Sequence, residues 1–222
     1  NILSLCRPFQ PELILAAGGG SVLDTAKSVC HGYFYDGDPL DFNKHLVTPL
    51  HALPLATIIT LSASGSERSD SCVISDRMHH FKGGFNSVTN YPLFSLEDPS
   101  LTFSVPPYQL GCGLADRFSH SFERYCSPSH ELEPCDGLAL SIRKSVVSIT
   151  NRVLAKADDR EAKRARRICG SLSHDGFTNF GKKKLFIVHK AEHRLSGKYP
   201  DLVHGQGIAL LMPSYLEENE AK

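Results

Sequence analysis

The fold of the first half of the chain is decided by the stretch Glu12-Leu-Ile-Leu-Ala-Ala-Gly-Gly-Gly-Ser-Val-Leu-Asp-Thr-Ala-Lys27. The apolar run before the glycines is typical of a buried parallel strand, and the spacing of apolar residues from Ser21 to about Tyr33 predicts a helix after them. A glycine turn there places free backbone N–H groups at the positive end of a helix, where phosphate binds well. A plain strand–turn–helix is the alternative, because the pattern matches neither common glycine-rich nucleotide motif.

A second loop of the same kind follows the apolar, β-branched run Leu55–Thr60. It reads Thr60-Leu-Ser-Ala-Ser-Gly-Ser-Glu67, and its hydroxyl groups can contact phosphate or ribose, although an ordinary polar turn also explains it. The runs Cys72–Ser75 and Leu93–Leu96 are weaker strand candidates. The first half of the chain therefore reads as alternating strands and helices.

The pattern changes near Val105-Pro-Pro107, and the chain after it reads as mostly helical. Proline suits a first helical turn, since the amide that it lacks would have no partner within the helix. We therefore place a domain boundary at about residue 105. The helices predicted from apolar spacing are Tyr108–Tyr125, Pro134–Ala157, Arg160–Leu172, Leu185–Ser196 and Gly205–Glu217.

One carboxylate and several imidazoles in the second half can form a metal site. Asp116 and His120 are four residues apart, as are His189 and His193, so each pair shares one face of a helix. His204 stands just before a glycine and can join them if the helices pack together. Aspartate with imidazoles suits Zn²⁺ or Fe²⁺ better than Ca²⁺ or Mg²⁺, which favour oxygen ligands. Unrelated core or surface histidines are the alternative.

The motifs occur in one order along the chain, and this order resembles that of the iron-containing (group III) alcohol dehydrogenases. The resemblance is to the NAD(P)H-dependent butanol dehydrogenase branch in particular, and it extends over nearly the whole chain. Besides the two loops, the matching stretches are Tyr35-Asp-Gly-Asp38, Asp98-Pro-Ser-Leu-Thr-Phe103, Gly113-Leu-Ala-Asp-Arg-Phe-Ser-His-Ser-Phe-Glu123, Glu192-His-Arg-Leu-Ser196 and His204-Gly-Gln-Gly-Ile-Ala209.

The resemblance implies a fold and a division into domains. Residues 1–105 would form an α/β part, a partial Rossmann-like dinucleotide-binding domain. Residues 106–222 would form a partial all-α metal-binding domain, and together they would have the dehydroquinate synthase-like architecture. Family members are longer at both ends, so we expect the first strands of the nucleotide domain and the helices after about Glu217 to lie outside this chain.

The resemblance also assigns the metal site. It implies that Fe²⁺ or Zn²⁺ is bound by Asp116, His120, His189 and His204. His193 would stand beside the substrate as a proton relay, since an ordinary imidazole pKa of ~6.5 suits that work. Glu192 or backbone carbonyls would orient the ligand imidazoles from behind.

The resemblance assigns a cofactor site as well, for NADH or NADPH. The residues implied to hold the pyrophosphate are Gly18, Gly19, Gly20 and Ser21, with Asp24 nearby. Those implied to line the rest of the cofactor are Thr60, Ser62 and Ser64, and Lys82 matches a lysine near the ribose.

The implied activity is oxidoreduction of short-chain primary alcohols and aldehydes of the butanol and butanal type. The metal would polarise the substrate oxygen as a Lewis acid while nicotinamide exchanges a hydride. The alternatives are a metal-dependent hydrolase, a lyase on the same scaffold, and a non-catalytic remnant of such an enzyme.

The composition and charge of the chain limit the kinds of binding partner that we expect. The 222 residues carry no formal net charge, which indicates neither a nucleic-acid nor an anionic-membrane partner. No apolar run reaches the ~18 residues of a membrane span. The seven cysteines are scattered without a CxxC pair, as expected for reduced thiols in the cytoplasm. We therefore expect a cytoplasmic enzyme with a small-molecule substrate, for which a homodimer is possible.

Overall fold

The computed structural model describes residues 2–61, 63–128, 133–156, 159–183 and 185–218. The first half contains helix α1 (Ile2–Phe9), strand β1 (Ile14–Gly18), helix α2 (Gly20–Gly32), helix α3 (Leu40–Asn43), and strands β2 (Leu55–Ile59), β3 (Ser71–Asp76), β4 (Phe81–Asn86) and β5 (Phe94–Leu96). The described residues of the second half form helices α4 (Pro107–Tyr125), α5 (Glu133–Ala155), α6 (Arg160–His174), α7 (Ile187–Lys198) and α8 (His204–Glu217). An α/β part followed by a helical part is the order that the sequence predicts.

Three strands form a parallel sheet in the order β1-β2-β5, with Ile14 opposite Leu55 and Ala56 opposite Phe94. Helix α2 covers one face of this sheet, where Leu23 and other apolar residues of the helix pack against the buried side chains of β1 and β2. The two predicted loops leave the carboxyl ends of β1 and β2. Such ends of neighbouring parallel strands share one edge of the sheet, which is where nucleotides bind in α/β folds.

The sequence analysis did not predict strand β4. The prediction that strands and helices alternate is wrong between β2 and β5. There β3 and β4 form an antiparallel hairpin with Cys72 opposite Phe85. The sequence Phe81-Lys-Gly-Gly-Phe-Asn86 has two glycines and no β-branched residue, so its strand signal is weak. The hairpin contacts α2 on one side and α7 on the other, and it therefore connects the two parts of the chain.

Helix α4 is the centre of the helical part and contacts α5, α6, α7 and α8. On one side Leu110 and Leu114 join a core with α5 and α6. Further along, Phe122 packs against Val188, Ile208 and Met212 of α7 and α8. The helix is thus fixed on several sides, and polar side chains on its buried faces are held in place.

The predicted helices agree with α4 to α8 within about two residues at each described end, and the predicted end of α5 at Ala157 lies outside the described residues. None of the helices in the described part of the chain is long and apolar enough to cross a membrane.

Candidate metal centre and nucleotide loops

Asp116 brings three imidazoles together around one carboxylate oxygen. Its Oδ1 lies 3.3 Å from His120 Nε2, one turn further along α4, and 3.3 Å from His189 Nε2 in the first turn of α7. His204, the first residue of α8, places its Nε2 at 3.6 Å from the same oxygen. The Nε2 atoms of His120 and His189 are 3.2 Å apart. The four residues therefore converge from three helices on one point.

The spacing of these four atoms fits a divalent transition-metal ion. Four ligands arranged tetrahedrally at ~2.1 Å from one ion lie about 3.4 Å from one another. The four separations given above, 3.2 to 3.6 Å, are close to this value, and the ligand atoms of Asp116, His189 and His204 all lie within 4.8 Å of one another. The exposures of Asp116, His120 and His189 are only 3%, 6% and 6%, so the ligand atoms are nearly dry. Nitrogen and carboxylate ligands in this number suit Fe²⁺ or Zn²⁺.

Glu123 supports His189 from behind. One oxygen of its carboxylate contacts His189 Nδ1, and Ser119 donates to that same oxygen at 3.2 Å. A carboxylate at Nδ1 keeps the proton on that nitrogen, which leaves the Nε2 lone pair for a metal. Sequence reasoning missed Glu123, although it lies seven residues after Asp116 and three after His120, on the same helical face.

Glu192 plays the corresponding part for His204. Its Oε2 contacts His204 Nδ1, and its side chain is fully buried. The sequence analysis named Glu192, or backbone carbonyls, for this role. Lys82 donates to the same oxygen at 3.1 Å and to Ser196 Oγ at 2.8 Å, so its ammonium lies beside the metal-ligand cluster. Contact of Lys82 with a cofactor ribose stays a prediction.

The charges of the cluster are coupled. Burial favours the protonated form of Asp116, but the nearby His204 and His189 outweigh it and hold its pKa below the ordinary value. Burial opposes a charged His189 too, yet its bonds to Asp116 and Glu123 raise its pKa to about 9. Burial and the neighbouring His189 lower the pKa of His120 far below normal. A cation that binds here would therefore meet an ionised Asp116 and a neutral His120, and it would displace one proton from His189.

His193 lies next to the cluster, with its ring centre 5.4 Å from that of His204. Burial first, and then the positive field of His204 and Lys82, lower its pKa to about 3. The expectation that His193 keeps an ordinary imidazole pKa is therefore wrong, and its ring is neutral at physiological pH. The role of His193 as a proton relay stays a prediction. In that role its imidazole would start from the neutral form.

The two loops predicted to bind a nucleotide, which follow β1 and β2, touch one another. A Cβ on Gly20 would lie 2.4 Å from Ser64 Oγ, so a larger residue there would push the Ser64 side chain aside. Gly19 begins α2 without a side-chain cap, which leaves the first amides of the helix to other acceptors. Ser21 is exposed on the first turn, while Ser62 lies outside the described residues. Phosphate binding at these two loops stays a prediction.

Asp24, on helix α2, is hydrogen-bonded to the second loop and to β3. Its carboxylate accepts Ser66 Oγ at 2.6 Å and the amide of Val73 at 3.1 Å. The buried Lys27, three residues on, donates to Ser66 and to the carbonyls of Ser69 and Ser71. These bonds fix the second loop and β3 against α2, so Asp24 shapes the loops. Its predicted place near a cofactor is untested.

A nucleotide-type sheet edge followed by helices that converge on an Asp/His₃ cluster defines a protein of the dehydroquinate synthase-like fold. The chain matches the iron-containing alcohol dehydrogenases over residues 1–99, and the C-terminal part of that family over residues 112–222. The chain therefore belongs to the iron-containing alcohol dehydrogenase family.

Individual relatives agree with this assignment. NADH-dependent butanol dehydrogenase A of Clostridium acetobutylicum is 38% identical over 97% of this chain and 55% of its own length. The crystal structure of NADH-dependent butanol dehydrogenase A from Thermotoga maritima superposes with a TM-score of 0.93 at 31% identity, over 99% of this chain and 56% of its own. An NADPH-dependent aldehyde reductase of Escherichia coli is 26% identical over 98% of this chain and 57% of its length. The chain thus spans about half the length of these relatives.

Proposed function

We propose that this protein is a metal-dependent, NAD(P)H-linked alcohol dehydrogenase or aldehyde reductase that acts on short-chain primary alcohols and aldehydes such as butanol and butanal. The observation that carries the proposal is that one oxygen of Asp116 lies 3.3 to 3.6 Å from the Nε2 atoms of His120, His189 and His204. The names of the relatives support the substrate class, because they include butanol dehydrogenases and an aldehyde reductase.

The chain's own residues have separate tasks in this proposal. A bound Fe²⁺ or Zn²⁺ would supply Lewis-acid polarisation of the substrate oxygen. Glu123 and Glu192 hold the protons of two ligand histidines on Nδ1 and so direct both Nε2 atoms inward. Burial limits the access of water to Asp116, His120 and His189. We assign to His193 the transfer of a proton to or from the substrate.

The cofactor, NADH or NADPH, would lie along the edge of the sheet where the two loops meet. The residues proposed to hold its pyrophosphate are Gly18, Gly19, Gly20 and Ser21, with Asp24 beneath them. Those proposed to line the rest are Thr60, Ser62, Ser64 and Lys82. We keep the division into residues 1–105 and 106–222, which is supported by separate apolar cores around α2 and around α4.

We also propose a cytoplasmic protein that assembles as a homodimer. All seven cysteines are free thiols, as is usual in a reducing compartment. Burial raises the pKa of Cys30 to about 12, so this thiol is unreactive at neutral pH.

The test is the oxidation of NADH and of NADPH with butanal, followed at the absorbance band of the reduced nicotinamide, before and after adding Fe²⁺ or Zn²⁺ to chelator-treated protein. His204→Ala should abolish both metal retention and turnover. His79→Ala is the matched control, because that ring is on the exposed hairpin turn, with 73% of its side chain accessible. Near-normal turnover by metal-free His204→Ala protein contradicts the proposal, and product formed without nicotinamide favours a hydrolase.

A further inference from the structure

We propose that Lys82 is a positioning residue for the metal centre: it holds the carboxylate of Glu192 against His204 and thereby ties the β3–β4 hairpin to a metal ligand. This inference rests on the metal site of the proposed function. It differs from the cofactor contact that the family resemblance implies for Lys82, since it concerns what the ammonium touches inside the protein.

The contacts of Lys82 all lead to the residues around His204. Its Nζ donates to Glu192 Oε2 at 3.1 Å and to Ser196 Oγ at 2.8 Å, and these two residues are one turn apart on α7. The same Nζ lies 3.3 Å from His204 Nδ1. Only 12% of the Lys82 side chain is exposed, and none of the Glu192 side chain. The ammonium is therefore committed to this cluster rather than to solvent.

The carboxylate of Glu192 depends on Lys82 for charge compensation. A buried carboxylate is costly unless it is paired and hydrogen-bonded. Glu192 Oε1 has no hydrogen-bond partner among the described residues, so Oε2 makes the polar contacts of this group. A histidine that binds a metal is neutral apart from the metal's own charge, which leaves Lys82 as the cation in contact with Glu192. Without Lys82, the carboxylate would lose the partner that holds it at His204 Nδ1.

The β3–β4 hairpin packs closely against α7, so the position of Lys82 relative to Glu192 is fixed by the fold. A Cβ on Gly197 would lie 3.1 Å from the carbonyl of His80 and 3.3 Å from the amide of Lys82, so β4 passes directly over α7. At the hairpin turn, Arg77 contacts Asp201 at 3.4 Å and the carbonyl of Pro200 at 3.2 Å. Arg77 thus docks the same hairpin without touching a metal ligand or its supporting carboxylate, which makes it a matched control.

The measurement is the Zn²⁺ dissociation constant of the purified protein, by competition with a chromophoric chelator. Lys82→Met should weaken Zn²⁺ binding roughly 10-fold or more, because loss of partners behind a metal ligand typically costs 10–100-fold. Arg77→Met should leave the constant unchanged. Ser196→Ala, which removes one acceptor of the Lys82 ammonium and keeps Glu192, should weaken binding in the same direction by less. Thermal unfolding of the chelator-treated variants establishes that each is folded.

A double-mutant cycle then tests the route through Glu192. Glu192→Gln alone should weaken Zn²⁺ binding, and Lys82→Met added to it should have little further effect, because its target is already gone. Zn²⁺ binding by Lys82→Met within two-fold of the wild type, or full multiplication of the two effects in the double variant, overturns this inference. Failure of the wild-type protein to bind Zn²⁺ or Fe²⁺ overturns the proposed function instead.

Discussion

Glu123 on α4 accepts the backbone N–H of Val188 on α7 at 2.7 Å. Val188 is the second residue of α7, where an amide has no partner within the helix. Phe186, just before the helix, offers no capping side chain. Glu123 therefore caps α7 from a neighbouring helix with one oxygen and contacts His189 Nδ1 with the other. One side chain fixes both the start of the helix and the ring of His189, a proposed metal ligand.

Glu123→Gln should weaken metal binding 10–100-fold while leaving the protein folded, since supporting partners of metal ligands have effects of that size. The amide keeps the shape of the side chain and can still accept from Val188, but it loses the charge that holds the proton on His189 Nδ1. The measurement is chelator competition for Zn²⁺. Ser121→Ala is the control, because that buried hydroxyl donates only to backbone carbonyls of its own helix. Equal affinities for Glu123→Gln and wild type would contradict the assignment.

Gly205→Ala should disrupt the metal centre through the backbone. A Cβ at this position would lie 2.1 Å from the carbonyl oxygen of Cys112 and 2.5 Å from its carbon, and a carbonyl group within α4 cannot move aside. The first turn of α8 would shift and carry His204 away. We expect a lower melting temperature and at least 10-fold weaker Zn²⁺ binding, by analogy with other losses of support around ligands.

Gly111→Ala is the matched control on α4, next to Cys112. A Cβ there meets nothing within 4 Å. Alanine in a helix interior is favoured over glycine by up to about 1 kcal/mol, so this variant should melt at the same or a higher temperature and bind Zn²⁺ normally. A tolerated Gly205→Ala, with the affinity of the Gly111→Ala protein, would show that α8 does not need this close approach.

Much of this arrangement is readable from the sequence, for physical reasons that differ between residues. The glycines at 18–20 end a strong apolar run, and Asp116 and His120 have helical spacing, so local pattern predicts both features. The contacts of Lys82 could not be predicted in this way. Its partners are 110 to 122 residues away in the sequence, and its strand contains few residues that favour β-structure. Its place beside His204 follows from hairpin docking, which a local pattern does not encode. The depressed pKa of His193 likewise comes from burial in the folded protein.

Asp159 should make helix α6 sensitive to acid. Its side chain accepts the amide of Ala162 at 2.9 Å and two hydrogen bonds from Arg152. The bond from Ala162, followed by those from Arg152, lowers its pKa below the ordinary aspartate value. The folded state thus binds fewer protons at this group than the unfolded state. Its stabilisation is complete above the unfolded pKa and is lost as the pH falls through the folded one.

Asp159→Asn separates the charge from the cap, since asparagine also caps helices well but does not ionise. Urea unfolding at neutral pH should show the Asn variant less stable than wild type, because it lacks the charged contact with Arg152. The two proteins should converge as the pH is lowered through the folded pKa of Asp159. A difference that stays constant from neutral to acid pH would exclude this group as a source of acid sensitivity.

Arg166 should destabilise the helical part. It shares the buried face of α6 with Ala162 and Cys169, its exposure is 0%, and its three guanidinium nitrogens have no hydrogen-bond partner among the described residues. Burial, with the charges of Arg117 and Arg167, lowers its pKa to about 9, so it remains charged at neutral pH. Replacing buried ionic groups by apolar side chains of similar volume can stabilise a protein by about 1–4 kcal/mol. Arg166→Met should therefore raise the free energy of unfolding in urea.

Arg124 is the matched comparison, because it is nearly as buried but both of its terminal guanidinium nitrogens donate hydrogen bonds. Its guanidinium donates to the carbonyls of Ser173, His174 and Asp175 at the end of α6, at 2.6 to 2.9 Å. Each hydrogen bond to a charged group contributes about 1.5–3 kcal/mol, and the carbonyls would be left without these donors. Arg124→Met should lower the free energy of unfolding by at least about 3 kcal/mol, opposite in sign to Arg166→Met. Equal losses in both variants would mean that Arg166 also has a stabilising partner in the folded protein.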